Sequence, residues 1–199
     1  MRSNVCKIDN GTKDLAAILR ESEKVAVYNE LNHKQTLQLR LLCEEIDGML
    51  PNIIDNFNGN LWIDFEDGVC KVNVSLRFEE FTSDKKDGLV ALARNKKTAA
   101  ATGVVGRIRS AIENILLDEE TTWGADVSPE SLYYASEYHS RMDYAHSWSL
   151  EQYRSSLRGQ AKGEDWDELE KSVIASVADD VIVGVKGKQA DIIIVKRFA

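Results

Sequence analysis

The hydrophobic pattern of the first half of the chain predicts two helices followed by strands. Apolar residues near a 3.6-residue period predict a helix over 14–31, and Asn32-His33 interrupts the pattern. A second helix follows, with apolar residues at steps of three and four along one face: Leu39, Leu42, Ile46, Met49 and Ile53.

The second helix carries more apolar surface than one face requires. Leu37, Leu41 and Leu50 form a second apolar side, so we expect this helix to be sandwiched in the core. Pro51 lacks a backbone N–H and is expected to end or kink the helix.

Two further stretches alternate with a period of two, which predicts two hairpins. In the first, Asp67-Gly68 joins the alternating runs and is typical of a type I′ turn, in which both residues have positive φ. In the second, the runs flank Gly187. Each hairpin has one apolar and one polar face, so we expect residues 60–78 and 181–197 to share one antiparallel sheet.

The segment between the hairpins is predicted to be mainly helical. The small, polar residues 94–103 open a helix with an apolar face at Val105, Ile108, Ile112, Ile115 and Leu116. Residues 118–148 are acidic, aromatic and less periodic. Helix starts are expected at Ser128-Pro129 and at Ser149 with Gln152. A last helix is expected to start near Asp165 and Glu168, with an apolar face at Trp166, Leu169, Val173, Ile174 and Val177.

This order of elements predicts an α+β fold, a two-layer sandwich with helices on one face of a mostly antiparallel sheet. At 199 residues we expect a single domain, 1–199, in which residues 118–164 form a helical, aromatic insertion. The aromatic side chains of that segment are either a partner-binding patch or the core of the insertion.

Composition narrows the class of protein. A net charge of −8 disfavours a nucleic-acid partner, because binding to phosphates requires a basic surface. The three cysteines, Cys6, Cys43 and Cys70, are widely spaced and suit buried free thiols in the cytoplasm. We see no signal peptide, and the longest apolar run, 192–195, is too short to span a membrane. The histidines lack metal-ligand spacing, so no metal site is expected from them.

Two features are candidates for chemistry. Glu44-Glu45 lies on the second helix, and neighbours on a helix point about 100° apart, so one of the two should face inward or towards a cleft as a candidate general base. The alternative is two solvated charges. Gly103 and Gly106 flank a helix start close to Lys96-Lys97-Thr98, where free N–H groups and positive charge suit a phosphate. The alternative is that these glycines permit close helix packing.

The segment LRLLCEEIDGMLPNI, the WIDFEDG hairpin, the glycine-flanked helix and the terminal VADDVIVGVKGKQADIIIVKRF together resemble the GHKL superfamily of histidine-kinase-type ATP-binding domains. The resemblance is closest to the anti-sigma-factor serine kinases and to small bacterial proteins labelled only as ATP-binding. It covers residues 14–117 and 165–198, and it implies a Bergerat-like fold and ATP as the ligand.

The resemblance also implies roles for particular residues. Glu45 matches the general base of the Glu-x-x-x-Asn box, while Met49 stands where the family has its Mg²⁺-binding Asn, and a thioether is a poor ligand for Mg²⁺. The Asp-x-Gly-x-Gly box that reads adenine is incomplete, with only Asp84, or Asp87 and Gly88, in its place. The last glycine box corresponds to Thr102, Gly103 and Gly106, with Lys96, Lys97 and Thr98 as further nucleotide-binding candidates.

These residues support three hypotheses. The first is a cytoplasmic regulator that binds a nucleotide, or has lost that ability, and acts on a protein partner such as a signalling or sigma-factor-type regulator; it could also be an oligomer. The second is an active ATP-dependent serine kinase or ATPase with Glu45 as base, against which Met49 argues. The third is an interaction module without a ligand.

Overall fold

The computed structural model describes residues 1–10, 15–54, 56–78, 103–119, 147–157, 172–186 and 188–198. These residues contain six strands and five helices. In chain order they are β1 (Cys6–Asp9), α1 (Leu15–Tyr28), α2 (His33–Ile53), β2 (Phe57–Glu66), β3 (Val69–Phe78), α3 (Gly103–Glu119), β4 (Ser147–Ser149), α4 (Leu150–Leu157), α5 (Val173–Val177), β5 (Asp180–Lys186) and β6 (Gln189–Arg197).

The six strands form one sheet in the order β1-β2-β3-β6-β5-β4, and every neighbouring pair is antiparallel. The two predicted hairpins are β2–β3 and β5–β6, and β3 pairs with β6, which confirms that they share one sheet. Asp67 and Gly68 have φ values of 48° and 76°, as a type I′ turn requires.

One face of the sheet forms the core. Two cross-strand rows of fully buried side chains run over the four central strands: Ile63, Val72, Ile194 and Val181, and beside them Leu61, Val74, Ile192 and Val183. The helices contribute buried side chains to the same cluster, including Leu42, Ile46 and Ile108. The fold is α+β with an open antiparallel sheet, an arrangement consistent with the expected two-layer sandwich.

The opposite face of the sheet is more polar. Asp64 on β2 accepts hydrogen bonds from Arg2 Nε and Nη2 at 2.7 and 3.0 Å, from Trp62 Nε1 at 3.0 Å and from Asn73 Nδ2 at 3.1 Å. The guanidinium of Arg2 also lies 5.8 Å from the centre of the Trp62 ring. These contacts attach the start of the chain to the middle of the sheet.

Helix α2 is the long helix that the periodicity predicted. Asn32 caps it, because its side chain accepts from the Gln35 N–H while the Gln35 side chain accepts from the Asn32 N–H. The buried residues include the predicted face of Leu39, Leu42, Ile46, Met49 and Ile53. Helix α2 continues to Ile53, so Pro51 lies within the helix and does not end it.

Several expectations need correction. Leu37 is 51% exposed, so α2 is not buried along the whole of its second apolar side. Helix α1 ends at Tyr28 rather than at residue 31, and Glu30 in the following turn has a φ of 54°. Ser172 has an extended backbone and caps α5, so no continuous helix runs from residue 165 to residue 177.

Two edge strands were not predicted. β1 pairs with β2, and β4 pairs with β5 within the segment that the sequence assigns to an insertion. Ser149, at the end of β4, accepts a hydrogen bond from the Gln152 N–H at 3.1 Å, as expected for a helix start there. The helix start at Ser128-Pro129 lies outside the described residues.

The three cysteines are free and buried, as the sequence predicts. Burial raises the pKa of the Cys43 thiol far above its ordinary value and that of the Cys70 thiol to about 12, so both stay protonated at neutral pH.

Candidate functional site

Helix α2 supplies one side of the candidate site. Both Glu44 and Glu45 are partly exposed, so neither carboxylate is buried in the core, and a position facing a cleft remains compatible with either. Glu44 accepts a hydrogen bond from Arg40 Nε at 3.0 Å. The Glu45 carboxylate makes no hydrogen bond or ion pair with any other residue that the structure describes, which leaves it as the available carboxylate of the pair.

Met49 lies one turn after Glu45 and is only 4% exposed. The side chain at this position therefore belongs to the core cluster. A buried thioether cannot provide the oxygen that Mg²⁺ requires.

Helix α3 supplies the other side. Its first residue, Gly103, has a φ of 79°, a conformation that an L-amino acid with a Cβ adopts at a cost. Among the described residues, no atom outside the neighbouring backbone lies within 4 Å of a Cβ built on Gly103. The positive φ therefore accounts for a glycine at position 103, and close packing, the alternative for both glycines, stays open for Gly106. Gly106 is buried within the helix.

The two helices are joined near the end of α2. Arg109 Nη1 donates to the carbonyl oxygen of Asn52 at 3.3 Å, and Arg109 Nε donates to Glu113 at 2.9 Å. The side chain of Asn52 turns back to the carbonyl oxygen of Gly48 at 3.2 Å. The sequence analysis did not single out Arg109, although its i,i+4 spacing to Glu113 is a signal for an ordered guanidinium.

Arg107 was expected to add positive charge near the helix start. Its guanidinium lies 5.2 Å from the ring centre of Tyr153 on α4. Part of its charge therefore interacts with an aromatic face on α4.

The structure describes three of the predicted site residues, Glu45, Gly103 and Gly106, on two helices that contact each other. The others lie outside the described residues: Asp84, Asp87, Gly88, Lys96, Lys97, Thr98 and Thr102.

The fit of the implied ligands differs between metal and nucleotide. Within the described ranges, no group of three or more His, Cys, Asp or Glu side chains is arranged to hold a metal ion. Met49 is buried, so the position that the resemblance assigns to a Mg²⁺-binding Asn provides no oxygen ligand. A helix start is a type of position at which proteins bind phosphate groups, and Gly103 begins α3 with a positive φ, so the position is compatible with a nucleotide phosphate.

No protein-family model, curated protein or solved structure matches this chain. In the part of the chain that the structure covers, none of the helices has the length and apolar character needed to cross a membrane.

Proposed function

We propose that this chain is a cytoplasmic regulatory protein with a histidine-kinase-like ATP-binding fold, and that it acts by binding a protein partner, such as a signalling or sigma-factor-type regulator. Its Mg²⁺-binding Asn and its Asp-x-Gly-x-Gly box are degenerate. The observation that carries the proposal is the contrast between the two sides of the site. Met49 is buried where a metal ligand would stand, whereas Gly103 keeps the positive φ of a glycine at the start of α3.

In this proposal a nucleotide is a ligand and not a substrate. Its phosphates approach the start of α3, where the helix dipole is positive. Lys96 and Lys97 precede that start in the sequence, and residues 94–112 contain no acidic side chain. In a chain of net charge −8, such a local basic segment is needed to attract an anion.

Calorimetric titration with ATP, with and without Mg²⁺, tests the proposal. We expect saturable binding that depends little on Mg²⁺ and that is lost or strongly weakened in Lys96→Glu/Lys97→Glu. The matched control is Lys7→Glu/Lys34→Glu, which makes the same change in net charge at two exposed positions on β1 and α2. Equal ATP affinity in both double variants would place the phosphates elsewhere, and no binding to the wild type at millimolar ATP would leave partner binding alone.

The second candidate is an ATP-dependent serine kinase or ATPase that uses Glu45 as general base. The observation in its favour is that Glu45 is partly exposed and makes no bond with other described residues. It requires a metal ligand other than Met49. Magnesium-dependent turnover that disappears in Glu45→Ala would favour this candidate over the first.

A further inference from the structure

Helix α2 carries a second stripe of residues on the side opposite its buried face. Leu37 lies nine residues before the buried Ile46, about two and a half turns, so the two side chains point in opposite directions. Further positions follow Leu37 at steps of four, three and four residues, which is the spacing of a seam between two helices. We call these residues the outer stripe: Leu37, Leu41, Glu44 and Gly48.

The two ends of the outer stripe have complementary shapes. Leu37 is 51% exposed, so its side chain projects from the first turns of α2. Gly48 is exposed about three turns later, and no atom of the described residues outside the local helix backbone and the two neighbouring residues lies within 4 Å of a Cβ built on it. A second helix that ran in the opposite direction would therefore meet a projecting leucine at one end and bare backbone at the other.

Apolar residues at the end of α1 widen the surface beside Leu37. Five large hydrophobic side chains are exposed in the described part of the chain, and two of them, Val27 and Tyr28, end α1. Arg40 Nη1 donates to Glu23 on α1 at 3.3 Å, and the turn between the helices reverses the chain, so the end of α1 lies near the first turns of α2. With Leu37, three of the five therefore lie at this end of the helix pair, and such clustering is typical of an interaction surface.

One flank of the outer stripe carries charges of both signs. Arg40 is held by Glu44 through Nε at 3.0 Å and by Glu23 through Nη1 at 3.3 Å, and its Nη2 has no acceptor among the described residues. Asp47 follows on the same flank, and its carboxylate makes no hydrogen bond or ion pair with any other residue that the structure describes. Seven residues, about 10 Å along the helix, separate this donor from this acceptor, so they do not satisfy each other within one copy.

We propose that the outer stripe binds the outer stripe of a second copy of this chain, with the two α2 helices antiparallel. A two-fold axis that crosses α2 between positions 42 and 43 places Leu37 of each copy over Gly48 of the other. The same axis leaves each flank on its own side of the seam, so Arg40 of each copy meets Asp47 of the other. This inference does not depend on the proposed nucleotide site.

Charge favours the antiparallel pair over a parallel one. In a parallel pair, Glu44 faces the same residue of the second copy, and like charges that face each other are unfavourable, whereas the antiparallel pair places it beside Leu41. The seam has only four positions, and interfaces below about 1,200 Å² are weak, so we expect a Kd on the order of 100 µM. The chain is then monomeric at the low micromolar concentrations of a denaturation experiment.

Sedimentation equilibrium of the full chain from micromolar to millimolar concentration tests the proposal. We expect the wild type to dimerise, and Arg40→Asp or Asp47→Arg alone to weaken dimerisation by about tenfold or more, because each places like charges together twice. An equimolar mixture of these two variants should associate about as well as the wild type, because every carboxylate again faces a guanidinium. Leu37→Glu should abolish dimerisation. Val5→Glu is the matched control, since Val5 is 57% exposed and lies outside both helices.

Urea denaturation of each variant at low micromolar concentration shows that it folds. A wild type that stays monomeric to millimolar concentration overturns the proposal and leaves a different protein as the occupant of this surface. Dimerisation retained in Leu37→Glu places the interface elsewhere and overturns it as well. If Arg40→Asp associates with Glu45→Arg and not with Asp47→Arg, the helices are parallel and the antiparallel pair is wrong. No nucleotide is present in these measurements, so they stand whether or not the chain binds ATP.

Discussion

Glu21 on α1 shows how one carboxylate fastens the start of the chain. Its two oxygens accept hydrogen bonds from the Asn4 N–H at 3.0 Å, from Asn4 Nδ2 at 3.2 Å and from Lys24 Nζ at 2.6 Å. The hydrogen bond from Lys24 is the main cause that lowers the pKa of Glu21 below 4.5, its ordinary value, and the bonds from Asn4 add to it, whereas burial acts in the opposite direction.

This lowered pKa predicts a pH-dependent contribution to stability. An acid whose pKa is lower in the folded state stabilises the protein above its unfolded pKa, and this stabilisation is lost as the pH falls through the folded value. Glu21→Gln should therefore lower the free energy of unfolding by about 1 kcal/mol at pH 7, and the difference from wild type should shrink below about pH 4.5. Urea denaturation from pH 7 to pH 3 measures this difference. Glu23→Gln on the same helix is the control, because Glu23 is exposed and should give a small difference throughout.

Two glycines with open surroundings should respond to alanine in opposite ways. At neither Gly48 nor Gly103 would an added Cβ lie within 4 Å of an atom of the described residues outside the local backbone, but only Gly103 has a positive φ, of 79°. Gly48→Ala should stabilise the protein by up to about 1 kcal/mol, because Gly is unfavourable within a helix. Gly103→Ala should destabilise it by about 1–2 kcal/mol through backbone strain. Chemical denaturation of both variants tests this prediction, and a Gly103→Ala variant as stable as Gly48→Ala would contradict the left-handed conformation.

At the scale of elements, helix α2 carries both buried and exposed leucines. Leu42 is fully buried and Leu37 is 51% exposed. Leu42→Ala should cost about 2–5 kcal/mol of unfolding free energy, as for other large core truncations. Leu37→Ala should change it by less than about 0.5 kcal/mol, as for an ordinary surface site. Equal denaturation midpoints for the two variants would show that the buried face of α2 is assigned wrongly.

The sequence allowed the elements with sustained periods to be predicted, and the short ones were missed. Helix α2 and the two hairpins carry enough apolar residues in register to identify type and face. β1 and β4 have four and three residues, too few for an alternation to stand out, and they are strands because β2 and β5 offer an edge. The end of α2 beyond Pro51 likewise depends on contacts from elsewhere, among them the one from Arg109.

In the candidate site, too, only residues with a signal in the nearby sequence could be predicted. Glu45 and Gly103 could be predicted as site residues from their neighbours in the sequence. Glu45 lies on a helix with a core-facing side, and Gly103 lies at a helix start. Arg109 could not, because its partner Asn52 lies 57 residues away in the sequence and only the packing of α3 on α2 brings the two together. Burial of Met49 was predicted from its position in the apolar face of α2. Of the site features, this one bears most directly on whether Mg²⁺ can bind.

At the scale of the whole molecule, the sheet ties both ends of the chain to its middle. β6 lies between β3 and β5, so the hairpin at the end of the chain pairs directly with the hairpin of the first half. Residues before β1 also reach β2, where the Ser3 N–H donates to the Ile63 carbonyl oxygen at 2.8 Å. The helices that carry Glu45 and Gly103 pack into one hydrophobic core with this sheet, and this shared core holds the two helices in place.

For the intact protein we predict no magnesium-dependent ATP turnover at rates typical of enzymes. Phosphoryl transfer relies on a metal to neutralise charge on the phosphates, and the position where the family has its Asn ligand holds a buried methionine. A coupled assay for ADP release, run with and without Mg²⁺, should show equal and near-background rates for the wild type and Glu45→Ala.

Robust turnover that needs Mg²⁺ and is lost in Glu45→Ala would contradict the prediction and would require another oxygen ligand. Asn52 and Asp55 would then be examined first. Asp55 lies outside the described residues. Asn52 is exposed, and its side-chain amide donates to the Gly48 carbonyl oxygen, which leaves the side-chain oxygen to turn towards a cation. In that event Asn52→Ala should abolish turnover while Met49→Leu leaves it unchanged.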